Sequence, residues 1–168
     1  MRYGGMAIAD ASLLQDREIV GDQPIYYRKK TRRNKHRIKV VFPLPEFLLE
    51  RLTQMKQAGL HQGCYYFCRG SIDNATDVWH KRLATVFAVA EVKDGHPHRF
   101  RHTFATYWLS TRIQFATGDW GYTPLSVVSK WLGHASEATT RRYYSHWIRQ
   151  REDEASAIAR THQRLLHA

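Results

Sequence analysis

Three short clusters in the second half of the chain carry groups suited to phosphoryl transfer. They are His98-Arg99-Phe100-Arg101, Leu132-Gly133-His134 and Thr140-Arg141-Arg142-Tyr143-Tyr144. Breaking a phosphodiester without metal requires a nucleophile, cations on the non-bridging oxygens, a base for the nucleophile and an acid for the leaving oxygen. A tyrosine phenol yields a phosphodiester that can be attacked again. An arginine fork matches two phosphate oxygens at once, and histidine moves protons near neutral pH. Taken singly, each cluster has a plain structural reading: a lone His-x-x-Arg at a helix start, a commonplace Leu-Gly-His, a pair of packing tyrosines. Their order in one chain, after a basic hairpin, is the signal.

The elements that would position these groups can be read from periodicity and breakers. Residues 6–14 read as a short helix with Ile8, Ala11 and Leu14 on one side. Residues 24–31 and 36–43 read as two strands joined by a polar, basic turn. Pro45 opens a helix with the stripe Phe47, Leu48, Leu52 and Met55, ended by Gly59. Residues 63–67 read as a third strand, and 76–90 as an amphipathic helix broken by Gly95 and Pro97. Residues 98–110 read as a helix whose apolar face is Phe100, Phe104, Tyr107 and Trp108, with Arg101 on the polar side. Thr123-Pro124 starts another helix, with Leu125, Val128, Trp131 and Leu132 as its stripe and Gly133 after its last turn. Ser136 caps a short helix bearing Tyr143 and Tyr144, and a charged helix from about Arg149 closes the chain. The expected fold class is mixed and mainly α, with a small three-stranded antiparallel β-sheet.

Composition narrows the partner. The chain has 168 residues, 43% of them hydrophobic, and a net charge of +11. That surplus points to a polyanion, nucleic acid above all. Arg28, Lys29, Lys30, Arg32, Arg33, Lys35, Arg37 and Lys39 are concentrated in the hairpin, between apolar strand residues. No apolar run reaches the ~18 residues of a membrane span, and the first residues do not read as a signal peptide. Cys64 and Cys68 read as reduced thiols, because two thiols alone make no zinc site. His96, His98 and His102 have no nearby acidic or cysteine partner except Asp94 to complete a ligand set, so no metal and no cofactor are expected.

The ordered clusters resemble the C-terminal catalytic domain of the tyrosine recombinase (phage integrase) family over nearly the whole chain. The run from His96 to Ala105 and the tail Tyr144-Ser145-His146-Trp147-Ile148 are especially similar to one bacterial integrase subgroup. Lys30-Thr31, followed by Pro43-Leu44-Pro45, resembles the family's β-strand lysine and the entry to its next helix. The resemblance implies that residues 1–168 form a single catalytic domain of that fold, without the N-terminal core-binding domain. It implies double-stranded DNA as partner, cleavage and rejoining through a 3′-phosphotyrosine, a synaptic homotetramer on DNA, and a cytoplasmic bacterial or phage setting away from membranes. Arg101 would hold the scissile phosphate, His98 would exchange a proton with the nucleophile, and His134 would hydrogen-bond a phosphate oxygen. Lys30 would protonate the 5′ oxygen, with Lys35 a rival for that role. Arg28, Lys29, Arg32, Arg33, Lys35 and Arg37 would contact DNA. Tyr144 is the expected nucleophile because the match continues through Ser145 and Trp147; Tyr143, nine residues after His134, is the alternative.

One departure bears on activity. The family's first arginine lies in a motif of the form Gly-(Leu/Met)-Arg-Ile-x-(Asp/Glu), and this chain reads Gly5-Met6-Ala7-Ile8-Ala9-Asp10. Ala7 stands at the arginine position, so impaired catalysis is expected. A non-catalytic DNA-binding module derived from the same fold is therefore the alternative. A type IB topoisomerase would share the nucleophile but relax supercoils rather than exchange sites, and no RNA-reading aromatic motif favours an RNA-binding domain.

Overall fold

The computed structural model describes residues 1–31, 37–60 and 63–166. The chain begins with helix α1 (Ile8–Ser12), then a 3-10 turn (Asp16–Glu18) and strands β1 (Ile19–Val20), β2 (Gln23–Tyr27) and β3 (Lys39–Val41). Helices α2 (Glu46–Gln57), α3 (Ala75–Val89) and α4 (His98–Ser110) follow. A hairpin of β4 (Arg112–Gln114) and β5 (Trp120–Tyr122) leads to α5 (Leu125–Leu132) and the long α6 (Glu137–Leu166).

The three-stranded sheet has the order β1-β2-β3, antiparallel throughout, with Ile19 opposite Pro24 and Tyr26 opposite Val40. Its composition corrects one expectation. Residues 63–67 are not the third strand; β1 is. Tyr65 makes only an isolated bridge to Gln15, flanked by hydrogen bonds from Asp16 N to Cys64 O and from Tyr66 N to Leu14 O. The Leu14–Asp16 partner segment turns at once into the 3-10 helix, so the ladder stops after one pair. The alternation is still used: Tyr66 and Cys68 are buried, and both cysteines are free thiols. β2 and β3 are also shorter than expected, because residues 29–31 wind into a 3-10 turn. Arg32, Arg33 and Lys35 lie outside the described residues.

Two apolar clusters make the core. Phe104, Ala105 and Leu109 of α4 pack with Leu125, Val128 and Leu132 of α5 and with Tyr144 and Ile148 of α6. Met6, Leu14, Tyr26, Val40, Phe42, Leu52 and Tyr66 form the second cluster around the sheet. Trp131 packs against both, and Phe42 meets Phe104 edge-to-face at 6.3 Å. These bridges fix the sheet against the α4–α5–α6 layer, the junction where the candidate residues gather.

Helix ends follow their residues. Pro45 and Pro124 each stand one position before their helices, and Gly133 ends α5 at φ 60°. The final helical break was expected near Arg149; the structure places it at Tyr144, whose φ −122° and ψ 19° interrupt α6. The side chains of Ala155, Ile158, Ala159 and Leu165 lie outside the described part of that helix.

Candidate active site

The site is built at the C-terminal end of α5, where the last helical carbonyls have no intrahelical donor and carry the negative end of the helix dipole. Two arginines from distant elements fill that role. Arg101, in the first turn of α4, is only 2% exposed and donates to the carbonyl oxygens of Gly5 and Leu132. Arg28, just after β2, donates through Nη1 to Leu132 O and Gly133 O, both at 2.9 Å. The Leu132 carbonyl thus accepts from both guanidinium groups.

Both glycines at this junction are required by geometry. Gly5 sits at φ 58°, and a Cβ there would lie 2.6 Å from the Phe104 ring. Gly133, at φ 60°, would place a Cβ 2.6 Å from Val40 Cγ2 and 2.8 Å from Arg28 Cδ. A side chain at Gly5 would press on Phe104, and one at Gly133 on Val40 and Arg28.

A single acidic residue orients the second arginine. Asp10, buried on α1, holds Arg28 Nε at 2.7 Å through Oδ2 and accepts from the Lys29 backbone N–H at 2.7 Å through Oδ1. Arg28 was expected in the DNA-facing run; the structure turns it inward, with its side chain 11% exposed. Lys29 pairs with Glu18 at 3.4 Å. Lys30 and Arg37 are exposed. Arg17, Arg28, Lys29 and Arg37 border a hollow of about 360 Å³ beside Tyr27 and Tyr65. Arg101 also departs from expectation, since it lies in the interior rather than on a polar helix face.

Two histidines feel the charge of this pair. His134 follows the α5 cap, where its N–H bonds to Ser129 O at 3.0 Å, and its Nδ1 is 2.7 Å from the hydroxyl of the fully buried Thr140. Burial, reinforced by Arg101, Arg28 and His98, pulls the His134 pKa down to about 4. Burial and the neighbouring His102 and Arg101 also lower His98, which is itself exposed and meets His102 edge-to-face at 4.8 Å. Burial and then Arg28 lower Arg101 to about 10, leaving it charged at neutral pH. These mutual influences identify Arg101, Arg28, His98 and His134 as one electrostatic group.

Tyr144 joins it from α6. It is 2% exposed, and its ring lies 5.5 Å from that of His102. Burial raises its phenol to about 12, and Arg101 opposes that rise. Tyr143 points away and is 61% exposed. Ala7, half-buried, is the residue immediately before α1. Two parts of the arrangement were not foreseen from sequence: the inward turn of Arg28 and the Asp10 carboxylate that holds it. An acidic residue three positions after Ala7 was the available signal. Among the described residues, no group of three or more histidine, cysteine or acidic residues is placed to hold a metal, and no helix is long and apolar enough to cross a membrane.

No protein-family model and no curated protein sequence matches the chain. Solved structures do. XerA recombinase aligns with a TM-score of 0.62 at 21% identity, over 84% of this chain and 49% of its own. XerH site-specific recombinase, in a post-cleavage complex with palindromic difH substrate, aligns at 0.58 and 22%, over 95% of this chain and 43% of its own. The catalytic domain of bacteriophage HP1 integrase aligns at 0.58 and 16%, over 93% of this chain and 76% of its own. The chain spans about half the length of XerA and less than half that of XerH. With its helices around a small antiparallel sheet, the chain has the fold of tyrosine-recombinase catalytic domains.

Proposed function

We propose that this chain is a DNA strand-cleaving and rejoining domain that works through a 3′-phosphotyrosine at Tyr144. What carries the proposal is Arg101 and His134 at the α5 terminus, with Tyr144 against His102 and His102 against His98, on a fold that XerA recombinase shares. Tyr144 Oη attacks phosphorus, the bond from phosphorus to the 5′ oxygen breaks, and the phenolic proton passes to His98. Because the phenol is raised to about 12, Tyr144 is protonated at neutral pH and depends on that base. The lowered His98 is neutral at the same pH and able to accept. The Thr140 hydroxyl donates to His134 Nδ1, which leaves the Nε2 proton for a non-bridging oxygen. Arg101 neutralises charge on the phosphate, and Lys30 protonates the 5′ oxygen, with Lys35 as the alternative donor. Rejoining is the reverse reaction with a different 5′-hydroxyl. No cofactor is consumed, because the phosphotyrosine retains the bond energy. The partner is double-stranded DNA, bound by a homotetramer in a bacterial or phage-infected cytoplasm.

The non-catalytic DNA-binding module is the second reading. Ala7 favours it, as does a nucleophile only 2% exposed. A nicked suicide duplex, which traps the covalent intermediate, separates the two. The native chain should form a protein–DNA adduct, Tyr144→Phe should form none, and Ala7→Arg should raise the yield, by less than the ~10²-fold that a wholly missing donor is worth. Adduct persisting in Tyr144→Phe would move the nucleophile to Tyr143. Absence of adduct in every variant, on DNA that each binds, would leave the non-catalytic reading.

A further inference from the structure

Asp10, Arg28, Arg101 and Tyr26 form a cluster whose charges do not cancel. Two guanidinium groups share the Leu132 carbonyl, which sets them side by side. Like charges at that separation repel, and the repulsion is felt at Arg101, whose pKa falls partly because of Arg28. Asp10 pairs with Arg28 at 2.7 Å. The α5 carbonyls add only partial negative charge. Buried charge is tolerated when it is paired, and the hydrogen bonds of Arg101 go to two neutral carbonyls, those of Gly5 and Leu132. Tyr26 sharpens the point. It is 1% exposed, its ionisation is influenced by Asp10, Arg28 and Arg101, and its buried hydroxyl has no hydrogen-bond partner among the described residues.

We propose that Arg28 and Arg101 form a paired-guanidinium site for a phosphate group, and that Arg28 supplies the scissile phosphodiester with the second cation that Ala7 does not. This deepens, and rests on, the strand-cleaving reading. A phosphodiester has two non-bridging oxygens, and a planar guanidinium matches each of them better than an ammonium does. Asp10 acts as a positioning residue, setting the plane of Arg28. Its reach from α1 holds Arg28, just after β2, against the carbonyls that end α5. Tyr26 supplies a neutral hydroxyl at the same place.

The test begins with inorganic phosphate and the full chain labelled at arginine side-chain nitrogen. Titration should shift the Nε resonances of Arg28 and Arg101 together, with one saturation midpoint. The variant Asp10→Asn/Arg28→Gln removes both members of the ion pair, so no lone carboxylate is left buried. Provided its thermal transition remains cooperative, its Arg101 resonance should respond at least about tenfold more weakly, a factor characteristic of one lost charge-assisted bond. Adduct formation on the suicide duplex should fall by roughly 10²-fold, with partial restoration by added methylguanidinium. A purely structural arginine would not permit that rescue. If the double variant does not fold, Arg28→Lys in the native background keeps the charge and loses the fork, and it should weaken both readouts. Independent movement of the two resonances in the native chain, or native phosphate affinity at Arg101 in a folded double variant, would overturn the paired site. Loss of phosphate binding in a chain that never forms adduct would sustain the site and sink strand cleavage. Adduct at the native rate without Arg28 would do the opposite.

Discussion

His134 carries a stability consequence as well as a chemical one. Its pKa falls to about 4 in the folded chain, against an ordinary value near 6.5. Between those values the unfolded chain binds a proton that the folded chain refuses, so stability rises with pH across this window. The contribution is complete above pH 6.5 and is lost as pH falls toward about 4. His98 and His102 shift in the same direction. The melting temperature should therefore drop between pH 7 and pH 4.5, and His134→Asn should flatten that slope. An equal slope in the variant would place the acid sensitivity elsewhere. The candidacy of Arg101, His98, His134 and Tyr144 is visible in their order along the chain together with the family resemblance. The inward role of Arg28 is not, because a run of eight cations on a hairpin looks uniformly solvent-facing. Nothing local marks the one that will find a carboxylate on α1 and two carbonyls 104 and 105 residues away.

At the scale of elements, the α5 terminus is the most demanding joint. The left-handed Gly133 lets His134 N reach back to Ser129 O and presents two carbonyls to the arginines. Gly133→Ala meets both the backbone penalty at positive φ and the contact with Val40, and should cost about 1–3 kcal/mol. Urea denaturation measures that loss; a change within error would mean that Val40 and Arg28 give way freely. The helices were legible because their stripes are long: residues 98–110 were expected and α4 spans the same range. Strands were harder. Alternation at residues 63–67 signalled burial, which is real, but burial of alternate side chains does not supply a partner long enough to make a ladder. β1, with only two residues, offers no period to detect. The β4–β5 hairpin went unread although Gly118, at φ 88°, closes its turn. The break at Tyr144 has no proline or glycine to announce it.

For the whole molecule, the charge of +11 sets the terms of the proposed DNA binding. Affinity for duplex should fall steeply from low to moderate salt, with a log–log slope of about −0.9 per phosphate neutralised. Reversing the charges at Arg32, Arg33 and Lys35 should weaken binding and flatten that slope by up to about 3. Filter binding across a salt series decides this, and an unchanged slope would take the hairpin out of the interface. The same molecule has a temporal property. Arg101 is anchored to Gly5, 96 residues before it, and Arg28 to residues more than 100 positions later. A chain emerging from the ribosome therefore carries its cations for most of synthesis without the carbonyls that aim them. Until α5 has emerged and closed onto the sheet, the proposed phosphate site cannot form, and Tyr144 arrives later still. On the proposed function, a product that stalls before Tyr144 could cling to DNA through its charge but would have no means of cutting it.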